Sequence, residues 1–423
     1  MQGSMLHGRI AHVLTLLRQR PITAAAAAVA AAVLHIFRRQ RLAEQQRLAL
    51  EDIEDQPPPT GLIFTGTGCS SGLPLTGCTL GQEWAPKHCA ACGPALRNGP
   101  SDPNWRGNAG ALIRFIDKKG TTRHVQIDCG KTFREITAMR VYRQHGIKSL
   151  DGLLLTHDHA DAVGGLDELR SLQSYDPETF EIGNPIRCVC DRRSMTRLRH
   201  MFPYLFPKPL DFGTGLMCQC CELDLEKPST VPSIPAQQPT RQPAPAPVAA
   251  PAAVPVVKRF VARIEWEAFG SAADLTSRVC VVDMFGLKVT CMPVMHGEDY
   301  VCFGFGFGPE GARCAYLSDY TRLLPPTETL LASWSCCGGL ALLVLDALNP
   351  DGTHPVHASL DQSVALARLL KPRRTLLLGM GHRLEHYATN RSLRKLWDEE
   401  QLDIQLAFDG QLVPLDLTCD DFQ

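Results

Sequence analysis

Two histidines one residue apart, followed by an aspartate, are the first residues whose types and spacing could do chemistry. The run LLLTHDHADAVGGLDELR (153–170) holds them as His157, His159 and Asp161. On an extended segment His157 and His159 leave the same side of the backbone, so two imidazoles can meet one divalent ion. Asp161 can reach a neighbouring ion or orient a water. Mixed imidazole and carboxylate donors suit Zn²⁺, Mn²⁺ or Fe²⁺. An isolated HxH would be weak evidence; here it follows an apolar run and precedes GGLDELR. Position 162, where a further histidine could extend the set, holds Ala162.

The elements that must position these residues recur along the chain as short apolar runs ending in a polar residue. HVQIDCG ends near Asp128, GLLLTH at His157, LKVTCMPVMH at His296, CAYLSD at Asp319, LALLVLD at Asp346 and RTLLLGMGH at His382. Runs of this length, rich in Val, Ile and Leu, predict buried strands. Residues just past strand ends sit on loops held by a rigid sheet, where sites form. Asp128 is expected to orient a ligand histidine through its ring N–H. Helical patterns cover 161–173, 359–372 and 390–400, with Ser359 as an N-cap and Pro372 beyond the end of the second. FGFGFG (303–308) lacks the lysine and the strand–loop–helix context of a phosphate-cradling loop, and predicts a strand with close backbone approaches. Strands interleaved with helices imply an α/β protein of sheet layers covered by helices.

The pieces together resemble the metallo-β-lactamase-fold hydrolases. THDHADAVGGLDELR matches the family signature, and MPVMHG, YLSD and LLLGMGHRLEH follow in the family's order. GTGCSSGLP (66–74), IDCGKTFRE (127–135) and HASLDQSVALARLLKP (357–372) are similar to the branch containing phosphoribosyl cyclic phosphate phosphodiesterase and its uncharacterised eukaryotic relatives. The resemblance implies an αββα sandwich. It implies a first ion on His157, His159, His296 and Asp319, and a second on Asp161, Asp319 and His382. Ala162 removes one second-ion ligand, and His357 and His386 are the candidates to replace it. The resemblance also places His357 at a substrate phosphate or as proton donor to the leaving group, with Asp161 as its catalytic companion. A divalent ion lowers the pKa of a water it holds, so a hydroxide becomes available at neutral pH.

The chain has 17 cysteines, an odd number, and no clear secretory signal, which predicts reduced thiols rather than a disulfide framework. TGCTLGQEWAPKHCAACG (76–93) offers Cys89 and Cys92 as a CxxC zinc knuckle, with Cys78 as third ligand. His88, Cys69 and His386 are open as the fourth; the family resemblance favours His386. Cys188, Cys190, Cys218, Cys220 and Cys221 read equally well as metal ligands or as buried hydrophobe-like residues.

A net charge of −1 excludes a generally basic, nucleic-acid-coating protein, and a 44% hydrophobic composition permits a sizeable core. Residues 1–58 form a separate segment ahead of a hydrolase domain at 59–423. Within it, RQRPITAAAAAVAAAVLHIFRRQR (18–41) is arginine-flanked, alanine-rich and free of acids, which suggests a transit peptide. A membrane anchor and a solvated helix stay open. The setting is intracellular, either organellar (chloroplast or mitochondrion) or cytoplasmic. Residues 226–257, rich in Pro and Ala, cannot bury a core and read as a low-complexity insertion. The expectation is a metal-dependent phosphodiesterase acting on a small cyclic phosphate or nucleotide-like ester, with one or two Zn or Mn ions and a structural Zn. The alternatives are a relative of the tRNA 3′-processing endonucleases and a catalytically lapsed metal-binding scaffold.

Overall fold

The structure is a computed structural model that describes residues 59–179, 181–206, 261–270, 276–336 and 338–418. The segment 1–58, the Pro/Ala-rich stretch 226–257 and Cys218, Cys220 and Cys221 lie outside the described residues. Among the described residues no helix is long and apolar enough to cross a membrane.

The predicted apolar runs form strands in two sheets. The first sheet contains β1 (Gly61–Gly66), β2 (Gly110–Ile116), β3 (Thr122–Ile127), β4 (Gly152–Leu154), β5 (Ile186–Asp191) and β6 (Ile264–Phe269). The second contains β7 (Cys280–Met284), β8 (Leu287–Met295), β9 (Val301–Phe307), β10 (Arg313–Leu317), β11 (Arg322–Leu323), β12 (Leu340–Asp346), β13 (Arg374–Leu378) and β14 (Ile404–Leu406). The last strand, β15 (Leu412–Pro414), returns to the first sheet. The orders are β15-β1-β2-β3-β4-β5-β6 and β11-β8-β9-β10-β12-β13-β14, with β7 paired to β8. Antiparallel pairs build β15 through β3 and β7 through β10, and parallel pairs continue to β6 and β14.

Alternation along the strands explains the layering. Leu62 and Phe64 of β1 enter the core between the sheets, together with Phe303, Phe305, Tyr316 and Val344. Ile63, between them, points to the opposite face and packs with Phe133, Val141, Leu166, Met195 and Leu198 from the covering helices. The outer face of the second sheet is covered by helices Pro325–Cys336, Leu360–Leu370 and His386–Glu400, packed in a third cluster with Leu343, Leu345 and Leu377. Each fully buried Leu or Phe contributes about 1.5–3 kcal/mol relative to exposure. This is the expected α/β arrangement, an αββα sandwich.

Local signals behave as the sequence suggests. Ser359 caps helix Leu360–Leu370 in a reciprocal capping box with Gln362. FGFGFG lies in β9, where a Cβ at Gly304 would stand 2.2 Å from Leu317 and one at Gly306 2.4 Å from the Trp334 ring. These glycines let neighbouring side chains reach the strand; overpacking there would cost about 1–3 kcal/mol. Cys188 and Cys190 lie on β5, fully buried against the helix layer, which is the hydrophobe-like reading of that pair.

Candidate metal centre

Strand β4 delivers the HDHADA motif. After Leu154 the chain runs through Leu155 and Thr156 to His157, and His159 precedes a single helical turn, Ala160–Val163. His296 follows β8, Asp319 lies two residues beyond β10, and His357 stands just ahead of Ser359. Asp128 and Asp319 both adopt left-handed backbone (φ 58° and 52°), unusual for non-glycine residues and a feature that clusters at functional sites.

The donors converge in two overlapping groups. His157, His159 and His296 offer ligand atoms within 4.8 Å of one another, and so do His296, Asp319 and His357. Asp161 is half-buried and joins neither group. Burial and the Asp319 charge push its carboxyl up. For Asp319 burial acts upward too, but His157, His357 and His296 outweigh it and hold the carboxyl low.

Hydrogen bonds set which ring nitrogen is free. Thr156 donates its backbone N–H (2.8 Å) and its hydroxyl (2.7 Å) to the two oxygens of Asp128. The hydroxyl hydrogen being used, the same oxygen accepts from Nδ1–H of His157 at 2.8 Å. Nε2 of His157 is then an unprotonated donor, and it is buried without a hydrogen-bond partner. Burial drives this imidazole down to about 3, so it is neutral. Nδ1–H of His296 donates to the Val356 carbonyl at 2.7 Å, which frees its Nε2 as well. Neutral histidines with an oriented second nitrogen are what a metal ligand set requires. Asp128 therefore acts on His157 through Thr156 rather than directly.

His357 is anchored differently. Its Nδ1–H donates to Asp346 Oδ2 at 2.7 Å, and Asp319 Oδ1 lies 3.8 Å away. Burial alone would depress the imidazole, but the Asp346 and Asp319 charges outweigh it and raise it to about 9. Tyr300 was not foreseen in the sequence. Its ring stacks on His159 (centroids 4.8 Å, 30° between planes), and its hydroxyl donates to Asp158 at 2.7 Å. The Arg193 guanidinium lies over the Tyr300 ring, 4.0 Å from its centroid, and Arg197 pairs with Asp158 at 3.1 Å.

Two histidines sit elsewhere than expected. His382, assigned from the resemblance to the second ion, lies with Cys78, Cys89 and Cys92, all four ligand atoms within 4.8 Å of one another. Its Nδ1 is 3.4 Å from Cys78 Sγ and 3.5 Å from Cys89 Sγ. His386, assigned to the cysteines, is instead the first residue of its helix. Its N–H donates to Asn104, and its ring contacts Asn390, Tyr387 and Phe408. The reason is local: the chain past β13 reaches the cysteine loop at His382, and Glu385 then caps the helix that carries His386 away. The knuckle itself has N–H···S bonds from Cys92 to Cys89 and from Leu75 to Cys92, each 3.3 Å. Without a cation, burial pushes the Cys92 thiol up to about 12.

A family model, the β-lactamase superfamily domain, matches residues 123–238. A crystal structure described as a new diphosphatase from the PhnP family is similar over 85% of this chain and 98% of its own, at 24% identity and a TM-score of 0.54. Zn²⁺-bound PqqB from Methylobacterium extorquens is similar over 84% of this chain and 99% of its own, at 14% identity and a TM-score of 0.52. The chain has the metallo-β-lactamase fold. A curated protein from Porphyromonas gingivalis (strain ATCC BAA-308 / W83), named octanoyltransferase, is 29% identical over 172 residues, 41% of this chain. The match spans 28% of that relative's length. The metallo-β-lactamase fold implies a divalent metal, and the histidine and cysteine groups are this chain's candidate donors for one.

Proposed function

We propose that the protein is a metal-dependent hydrolase that cleaves a phosphodiester, either a small cyclic phosphate or a nucleotide-like ester. The observation that carries this reading is the convergence of His157, His159 and His296 with Asp319 and His357 past the strand ends of both sheets, with a buried, unpartnered Nε2 on His157. His157, His159, His296 and Asp319 would hold Zn²⁺ or Mn²⁺. A bound ion supplies charge stabilisation and makes water a competent nucleophile near neutral pH.

The chain's own residues do the rest. Asp128, through Thr156, and the Val356 carbonyl fix the tautomers of His157 and His296. Asp161 is the carboxylate available to take a proton from the attacking water. His357 keeps one ring hydrogen on Asp346, so the proton it can give the leaving oxygen sits on Nε2. Lys131 beside Asp161, together with Arg193 and Arg197, adds positive charge that favours an anionic substrate. The diphosphatase of the same fold supports a phosphate-bearing substrate. Cys78, Cys89, Cys92 and His382 are assigned a structural zinc.

The test is a panel of cyclic and linear phosphodiesters, precursor tRNA, thioesters and lactams, offered to the Zn²⁺- and Mn²⁺-loaded protein. Turnover of a small phosphodiester, lost in His157→Ala, is expected. Turnover confined to thioesters, lactams or precursor tRNA rejects the substrate class. Full metal loading with no turnover on any compound rejects catalysis and leaves a scaffold.

A further inference from the structure

We propose that the histidine centre takes a single divalent ion, and that the Asp346–His357 pair occupies the side from which a second set of ligands would have to come. This rests on the hydrolase reading above and narrows it. A catalytic ion takes about three protein ligands, so a second ion needs about two donors of its own besides a shared carboxylate. Each source of such donors is closed by a different feature.

The first is Ala162. Its methyl is 1% exposed and packs in the apolar cluster beneath the helix layer, so position 162 offers neither a donor nor an opening. The second is the end of β13. Gly379 has φ +70°, and a Cβ built there would stand 2.0 Å from Asp346 Oδ1. No side chain can occupy position 379 while Asp346 is in place. Met380, next along, is fully buried in the apolar cluster under the other helix layer, Gly381 has no side chain, and His382 belongs to the cysteines. The third is Asp161, whose charge is felt by Asp319 and His159 but whose oxygens complete no set of donors within 4.8 Å of one another among the described residues. The fourth is His357, whose Nδ1 is committed to Asp346. Only its Nε2 remains, and the group it forms with His296 and Asp319 shares both of those residues with the first ion, so His357 brings one donor of its own. Asp346 is therefore the residue that decides the ion count: it fills the space beside Gly379 and holds His357 as a hydrogen-bonding group.

The experiment loads the full chain, with its cysteine-bound zinc in place, with excess Mn²⁺. It then combines elemental analysis with electron paramagnetic resonance. About one Mn²⁺ per chain with the hyperfine pattern of an isolated ion is expected. His357→Ala should keep that count, because His357 is not a ligand. About two Mn²⁺ with an exchange-coupled signal overturns the proposal and leaves the hydrolase reading standing. A drop to no Mn²⁺ in His357→Ala, with thermal unfolding unchanged, also overturns it. No Mn²⁺ in the unsubstituted protein, and no zinc beyond the cysteine-bound ion after loading with Zn²⁺, overturns the proposal and the hydrolase reading together.

Discussion

The histidine centre and the cysteine group differ in what holds them. Histidine-centre ligands stand just past strands buried in the three large apolar clusters, and the ring nitrogens of His157 and His296 are oriented by Thr156, Asp128 and the Val356 carbonyl. Three of the four cysteine-group ligands come from one stretch, 78–92, whose helices Thr76–Leu80 and Cys92–Asn98 are too short to persist alone. The apolar cluster buried beneath that stretch is small, made of Leu73, Ala91 and Cys92. The first centre is organised by the fold before any ion arrives. An ion at the second would tie the loop that carries Cys78, Cys89 and Cys92 to His382. Donor sets of similar compactness can thus depend on the fold or help determine it.

The sharpest break between the two is His157→Ala. Hydrolysis should fall by more than about 100-fold, since even changes around metal ligands cost about 10–100-fold. The ion of the histidine centre should be lost, the cysteine-bound zinc kept, and the far-UV circular dichroism unchanged. Unchanged metal content and activity would sink the assignment of this centre. Cys89→Ser should do the reverse. It removes about one zinc, makes residues near 78–98 susceptible to proteolysis and lowers stability by about 3 kcal/mol. Activity per folded molecule should fall far less than in His157→Ala. Zinc content that stays at the unsubstituted level would reject the cysteine group.

The same contrast explains what could be read from the sequence. The α/β layering was legible because buried strands write themselves as apolar runs, and the strand-end positions of His157, His296 and Asp319 followed from those runs. The two histidines of GHRLEH were not separable in the sequence, because their assignment turns on where β13 stops and the next helix starts. Element boundaries carry the weakest signals. His382 is in reach of the cysteines only because the chain leaves β13 in that direction. Asp346 was visible as a strand-end carboxylate, but its partner His357 is a loop away, and no spacing rule links them. Tyr300 gave no signal at all: its role comes from a fold contact with His159 and Asp158.

Asp346→Asn probes the histidine centre from the side of His357. With its carboxylate partner and Asp319 nearby, His357 is raised to about 9. A proton donor at this position is competent below that value and fails as pH rises through it. Removing the Asp346 charge lowers the imidazole toward its ordinary ~6.5, so the alkaline limb of kcat/KM should move to lower pH. The loss should be about 10-fold or more near pH 8 and smaller near pH 6. An alkaline limb that stays in place would remove His357 from proton donation.

The smallest effect is expected at Tyr300, and it tests whether the fold-built centre is oriented by stacking or by hydrogen bonding. Tyr300→Phe keeps the ring against His159 and the Arg193 guanidinium and deletes the hydroxyl that donates to Asp158. Asp158 still has Arg197 at 3.1 Å, so the net cost should be about 1 kcal/mol or less, under about 10-fold in ion affinity. Tyr300→Ala also removes the plate that limits rotation of His159, whose side chain is exposed and otherwise packs only edge-on or tilted against His157 and His296. Ion affinity, read by titration with Co²⁺ and its absorption spectrum, should then fall further, by about 10-fold or more. Equal losses in both variants would place the effect in the hydroxyl and Asp158. A loss confined to Tyr300→Ala would place it in the stack, making the Tyr300 ring the element that holds the most exposed ligand of the centre.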